Sequence, residues 1–382
     1  MATTTTQLSL TRPEWFQPVP GGVNHYVAAV QTMSGELDAL MHTSDATWAH
    51  MTPLIEVLGP KTLKAESFKR ERIVGWVRKM SLAVGSRPCF LDTLRLSPNH
   101  PTATKDGDRP VLEVIYEAAR KRGMKFVPVL RVGHGGASVD LVRDAALSDG
   151  RGAALRYPLL QLALPEGQTA ERLVKEALTT VAMEPSGSDL IIDLDFLSPD
   201  EELHAEDVAP ALKELIGVGP WRSVVLLGTS MHRTLGGGVV GEGTLGRLPR
   251  REWDLWMALR ATGMDRMPTF GDYAVQHPKP PMDGESGGPS LRANIRYTID
   301  DATLVPRAVG PVITEGAQQY VELCRQLVEQ LEFAGRDFTW GDLQIAECAD
   351  GIGDPGNQTK WRGAGTSHHL RHVVEQLDRL VS

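Results

Sequence analysis

The chain has 382 residues, with 40 Lys and Arg against 48 Asp and Glu, for a formal net charge of −8. At 41% hydrophobic and 23% charged residues it is too apolar for a disordered chain and too mixed for a fibrous one. The acidic balance disfavours a long phosphate-tracking groove, so no duplex nucleic acid is expected as a partner, while a local basic site stays open. The start Ala2 to Thr6 lacks the basic and apolar blocks of a signal peptide, and no apolar run approaches the roughly 18 residues of a membrane helix. Cys89, Cys324 and Cys348 lie far apart, giving neither a CxxC pair nor a disulfide framework. A cytoplasmic protein without membrane contact is expected.

Residues 1–22, with Pro13, Pro18, Pro20 and Gly21-Gly22, read as an N-terminal arm, and 23–382 as one domain. Strand-like runs follow at 26–31, 52–58, 88–96, 125–132, 155–162, 189–197, 223–228 and 267–275, each bounded by Gly, Pro, Asp or Ser. Between them lie amphipathic stretches such as 68–84, 111–122, 170–181 and 253–262, whose apolar residues recur at three and four. Eight strands alternating with helices predict a closed (β/α)8 barrel, because parallel neighbours need crossover helices and eight close the sheet without edges. A doubly wound open sheet gives the same alternation and is the alternative. Residues 277–313 break the repeat: a Pro- and Gly-rich stretch at 277–289 and β-type segments at 293–298 and 303–309 predict a hairpin inserted after the eighth strand. Helices at 316–333 and 367–381 close the chain, the last with a stripe of Leu370, Val373, Val374, Leu377 and Leu380.

Both architectures place ligands at the carboxyl ends of the strands. Glu56, Asp92, Asp193 and Asp195 stand there, and alternation puts Asp193 and Asp195 on one face. Buried carboxylates need partners. Three sets are open: a divalent cation (Mg or Mn) held by Glu56, Asp193 and Asp195, a substrate hydroxyl or amine, or an ion-pair lattice with Arg95, Arg131 and Arg156. The eighth strand ends in Thr-Phe-Gly-Asp-Tyr, offering the Asp272 carboxylate at the mouth and the Tyr273 ring for stacking on a planar ligand. Residues 241–246 match G-x-G-x-x-G but do not join a strand to a helix, so a flexible lid is expected, with a phosphate cradle as the alternative. At 361–369, Thr366 or Ser367 reads as the N-cap of the last helix, making an anion site with Arg362. His368 and His372 have the i,i+4 spacing of a zinc pair but no third ligand nearby.

The segments Asn24-His25-Tyr26-Val27, Gly35-Glu36-Leu37-Asp38-Ala39-Leu40, Thr52-Pro53-Leu54-Ile55-Glu56-Val57, Arg87-Pro88-Cys89-Phe90-Leu91-Asp92, Gly271-Asp272-Tyr273 and Ala293-Asn294-Ile295-Arg296-Tyr297 together resemble the beta-protein family of tailed phages and bacterial genomes. The resemblance covers nearly the whole chain and implies an association with phage or phage defence, without a reaction. Where that family usually continues Tyr-Val with a run ending in Lys or Arg, this chain has Ala28-Ala29-Val30-Gln31.

Two functions follow as expectations. In the first, a hydrolase or lyase acts on a phosphate-bearing small molecule such as a nucleotide: Asp92, Asp195 and Asp272 supply catalytic carboxylates, and Arg131, Tyr273, Arg296, Arg362, Ser367 and His368 bind the ligand. In the second, a non-catalytic module senses a small anionic ligand or a partner protein through the same mouth. Arginine-neutralised acids are the mark of the second.

Overall fold

The computed structural model describes residues 25–59, 69–93, 95–96, 101–104, 107–133, 136–162, 164, 167–200, 202–279 and 291–381. The expected N-terminal arm and most of the stretch 277–289 lie outside them. In chain order the elements begin β1 (Tyr26–Gln31), α1 (Ser34–Met41), α2 (Asp45–Ala49), β2 (Met51–Glu56), α3 (Arg70–Val84), β3 (Pro88–Asp92), β4 (Pro101–Thr104), β5 (Gly107–Pro110), α4 (Val111–Lys121), β6 (Lys125–Arg131) and α5 (Ala137–Asp149). They continue with β7 (Ala154–Pro158), α6 (Ala170–Thr180), β8 (Asp189–Phe196), α7 (Ala205–Ile216), β9 (Ser223–Thr229), β10 (Thr244–Pro249), α8 (Arg251–Ala261) and β11 (Thr269–Asp272). The remainder is β12 (Arg292–Asn294), β13 (Tyr297–Thr298), β14 (Ala302–Pro311), α9 (Val312–Glu315), α10 (Gln319–Val328), α11 (Trp340–Ala349) and α12 (Gln358–Asp378).

Eight of these strands close a parallel barrel in the order β1, β11, β9, β8, β7, β6, β3, β2. Strands such as β1 and β2 are buried at every residue. One face fills the lumen with Val27, Ala29, Leu54, Phe90, Val127, Val129, Ile191 and Val225, and the other packs under the helices. The closed barrel is therefore the architecture, and the open sheet is not.

Two expectations change beside the barrel. Residues 244–249 form β10, which pairs antiparallel with β14, so this part of the expected lid is a strand. Leu248 explains why: it is buried with Met231, Leu235, Val240 and Val305. The insertion is also larger than a hairpin. β10, β12, β13 and β14 form one sheet, and it shares a second core with α10 and α11 that includes Tyr297, Leu304, Tyr320, Leu323, Cys324, Ile345 and Cys348.

α12 joins the two cores. It starts at Gln358, because the Asn357 side chain accepts from the Thr359 and Lys360 N–H groups as its N-cap. Its first half puts Trp361 and Ala364 into the inserted core, and its second half puts Leu370, Val373, Val374 and Leu377 onto the barrel, each worth about 1.5–3 kcal/mol of burial. Glycine inside a helix costs about 1 kcal/mol. Here Gly363 lets α12 close on α1: a Cβ at Gly363 would lie 2.8 Å from the Gly35 carbonyl oxygen. No described helix is long and apolar enough to cross a membrane.

Candidate functional site

Register lines up the strand ends: Gln31 is opposite Glu56, and Glu56 is opposite Asp92. Into this ring β7 sends Arg156, buried at 6% exposure. Its guanidinium donates to Glu56 Oε1 at 2.8 Å, to Asp193 Oδ2 at 2.9 Å and to Asp92, and its Nη2 also reaches the Tyr273 hydroxyl at 2.5 Å. Tyr273 in turn donates to the Asp193 carboxylate, 2.8 and 2.9 Å from its two oxygens. Arg95 donates to the other Glu56 oxygen at 3.2 Å. Burial opposes the Arg156 charge, yet Asp193, Tyr273, Asp92 and Glu56 hold its pKa well above the usual arginine value.

Of the three acids expected to hold a divalent ion, Glu56 and Asp193 are thus bound by arginine. Arg156 occupies the centre that a cation would take between Glu56 and Asp193, and among the described residues no group of three or more His, Cys, Asp and Glu side chains is placed to hold a metal. Tyr273 is 1% exposed with its hydroxyl engaged below, so it cannot present its ring to a ligand.

Asp272 belongs to a separate buried network. Tyr26 donates to its Oδ1 at 2.5 Å, the Ala274 N–H donates to Oδ1 at 2.8 Å, and His369 Nε2 lies 3.0 Å from Oδ2. Burial works against the Asp272 charge, but His369, Arg250 and Tyr26 outweigh it and hold the carboxyl below its usual range. Burial lowers the His369 pKa against the pull of Asp272, and its Nδ1 lies 2.7 Å from the Thr298 hydroxyl. At 1% exposure Asp272 ties β11 and β1 to α12 and does not face solvent, contrary to its expected place at the mouth.

Three ligand-binding expectations are also revised. Ser367 and His368 lie in the middle of α12, where no free N–H groups remain, so they form no anion site. His368 Nδ1 faces Asp342 at 3.0 Å and its Nε2 faces the Thr298 carbonyl at 2.8 Å, fixing α12 to α11 and β13. Arg131 donates to Gln161 Oε1 at 2.8 Å, outside the Arg156 cluster.

Arg296 and Arg362 do come together. They line a small pocket with Gln276, Asn294, Gln358 and Trp361. Arg296 donates to the Val275 carbonyl at 2.5 Å and to Gln276 Oε1 at 3.2 Å, while Arg362 Nη1 lies 3.3 Å from Met33 Sδ. Neither guanidinium makes an ion pair with a described residue. Burial, and then the neighbouring Arg362, lower the Arg296 pKa to about 9. The nearby acid is Glu36 at the start of α1, 1% exposed, accepting from the Gln31 N–H and pushed up to about 7 by burial despite the pull of Arg362. A Gly-Glu opening a helix was the available signal for Glu36, and it stood in the sequence without an assigned role.

Asp195 differs from the other strand-end acids. The β8–β9 register shifts between Asp193 and Phe196, and Asp195 has φ +58°, so the simple alternation with Asp193 ends here. Its N–H donates to Asp193 Oδ1 at 2.9 Å, and its buried Oδ1 has no hydrogen-bond partner among the described residues. Burial, and then Asp193, raise its pKa.

Among curated proteins, none matches this chain. Solved structures that are similar include a GH138 enzyme targeting pectin rhamnogalacturonan II, at TM-score 0.29 and 10% identity over 66% of this chain and 35% of the enzyme. The chain thus spans about a third of that enzyme's length. A xylose isomerase domain protein from Planctomyces limnophilus gives TM-score 0.28 and 13% identity over 78% of this chain and 87% of that one. The model of the Beta protein family matches residues 26–375, which carry the barrel, the inserted sheet and nearly all of α12, and the chain belongs to that family.

Proposed function

We propose that this protein is a binding module for a small phosphate-bearing anion, such as a nucleotide, held between Arg296 and Arg362. The observation that carries this reading is two half-buried guanidiniums in one pocket, neither in an ion pair with a carboxylate among the described residues. Burying like charges together is unfavourable unless an anion completes the site. The pocket as it stands holds about 10 Å³, room for one water, so a phosphate requires its lining, which includes the half-buried Gln358, to open. Arg296 comes from the inserted sheet, Arg362 from α12 and Gln276 from the segment after β11, so a bound anion ties three parts of the fold. That geometry suits a sensor whose inserted sheet reports occupancy to a partner protein. The phage or phage-defence setting implied by the family resemblance suits such a sensor.

A non-catalytic module is favoured over a hydrolase or lyase by the fate of the acids. Glu56, Asp92, Asp193 and Asp272 are all paired, leaving Asp195 alone among the described strand-end acids, where metal-assisted or two-carboxylate chemistry needs at least a pair. Titration calorimetry with pyrophosphate and nucleoside monophosphates tests the reading. Binding that weakens about 10- to 150-fold in Arg296→Ala and in Arg362→Ala supports it, as expected for loss of a charge-assisted contact. No binding by the wild type, or binding indifferent to both substitutions, overturns it.

A further inference from the structure

A second small cavity lies where the barrel meets the inserted sheet. It holds about 10 Å³, and its lining includes Ser230, Arg250, Glu252, Thr303 and His369, all of them buried. We propose that this cavity is a binding site for a single water molecule, which accepts from Arg250 Nε and Nη2 and donates to Glu252 and Asp272, so that one guanidinium serves two buried acids through solvent. The inference does not depend on the anion-binding reading.

The unspent edge of Arg250 carries it. The residue is 2% exposed. Its Nη1 donates to Gln376 Oε1 at 2.7 Å and to the Ile299 carbonyl at 3.2 Å, while Nε and Nη2 make no hydrogen bond among the described residues. On the planar guanidinium these two nitrogens point their N–H groups to the same side. Buried donors of this kind are satisfied in folded proteins, by protein or by ordered water.

The acids on that side stop short of direct contact. Glu252 Oε1 is 3.8 Å from Nε, and Asp272 Oδ2 is 4.0 Å from Nη2, both beyond hydrogen-bond reach. Other contacts hold them there. Glu252 Oε2 accepts from the Ser230 N–H at 2.8 Å with the Ser230 hydroxyl 2.7 Å away, and Asp272 Oδ1 accepts from Tyr26 and from the Ala274 N–H. An oxygen atom set off the line between the guanidinium and the acids, about 2.7–3.2 Å from each, closes both gaps. Such a bridge is nearly as favourable as a direct hydrogen bond.

Size and charge select water. The volume suits one molecule and excludes a larger ligand. An anion would meet two carboxylates against one guanidinium, and a cation would meet Arg250. A neutral molecule with two lone pairs and two O–H donors matches the two N–H groups and the two carboxylate oxygens. Burial pushes the Glu252 pKa up to about 7 in spite of Arg250, as expected of an acid that the guanidinium does not touch. Because Glu252 opens α8, Asp272 ends β11 and Gln376 lies on α12, the bridged arginine ties the barrel to the last helix.

Crystals of the full chain at a pH above 7, where Glu252 is ionised, test the assignment. The expected result is one solvent peak about 2.7–3.2 Å from Arg250 Nε and Nη2, Glu252 Oε1 and Asp272 Oδ2. A direct hydrogen bond from Arg250 to either acid, with no peak between them, overturns it. Soaking in bromide separates water from an anion: no anomalous signal at the peak supports the neutral ligand, and a signal there overturns it. In solution, the Arg250 Nε–H should show a nuclear Overhauser contact to water with the sign of dipolar proximity. Absence of that contact in the folded protein counts against the site whatever the crystal shows.

Discussion

Gly365 of α12 lies so close to Arg296 that a methyl group on its α-carbon would stand 2.3 Å from the Arg296 carbonyl oxygen. No rotamer change can relieve a clash with backbone, so Gly365 sets how near the inserted sheet approaches the helix that carries Arg362. Gly365→Ala is expected to cost about 1–3 kcal/mol of stability and to spread the two guanidiniums. Thermal melts and pyrophosphate titration of that variant read the two effects separately. Wild-type affinity together with a wild-type melting temperature is the result that contradicts this role.

The arginine pair is expected to trade stability for binding. Because burial and Arg362 lower the Arg296 pKa to about 9, the folded state resists that proton, and the cost is present in full at every pH below about 9. Arg296→Met therefore raises the melting temperature without ligand, by the equivalent of about 1 kcal/mol. Added pyrophosphate raises the wild-type melting temperature and leaves the variant's unmoved. A variant that melts lower than the wild type would show that the pair is structural.

Asp272 belongs to the scaffold. Asp272→Asn places an amide where Tyr26, the Ala274 N–H and His369 all face a carboxylate, with Arg250 Nη2 4.0 Å away. The expected loss is about 3–5 kcal/mol, as for a buried ionic network with one partner removed. Denaturant unfolding measures it directly, and a change below about 0.5 kcal/mol is incompatible with the network drawn here.

Glu36 should leave a mark on the pH dependence of stability. Burial raises its folded pKa to about 7, above the unfolded value, so the folded state holds the proton more tightly. Its contribution is complete below about pH 4.5 and is lost as pH rises through 7. Buried histidines with lowered pKa, among them His25 at about 4, tilt stability the opposite way, gaining it as pH rises toward 6.5. The difference between Glu36→Gln and wild type isolates the carboxyl. Across pH 5 to 8 the melting temperature of the variant should climb relative to wild type, and a flat difference curve refutes the assignment.

Local pattern determined the barrel. Apolar runs of strand length, spaced by amphipathic stretches and bounded by Gly, Pro, Asp or Ser, leave few ways to bury both faces of a parallel sheet, and β1 is found at the very residues its sequence marks. Chemistry at the strand ends was legible as a residue class, and Arg95 and Arg156 were already among the possible partners of Glu56 and Asp193. What depends on sequence separation was not. Arg156 meets Glu56 across 100 residues and His369 meets Asp272 across 97, and no periodicity records which of several arginines or histidines reaches which acid.

The last helix shows the same division. Its stripe from Leu370 to Leu377 follows from the 3.6-residue period, but two glycines made residues 361–366 look like a loop entering a helix. Only the tertiary structure shows that Gly363 and Gly365 are helical and small because the Gly35 and Arg296 carbonyls press against them. The pairing of Arg296 with Arg362 is set by that contact. A chain alone specifies which residues want to be buried and how often; which charges are left facing each other is decided when helices and sheets pack, because close approach and desolvation are properties of neighbours distant in sequence.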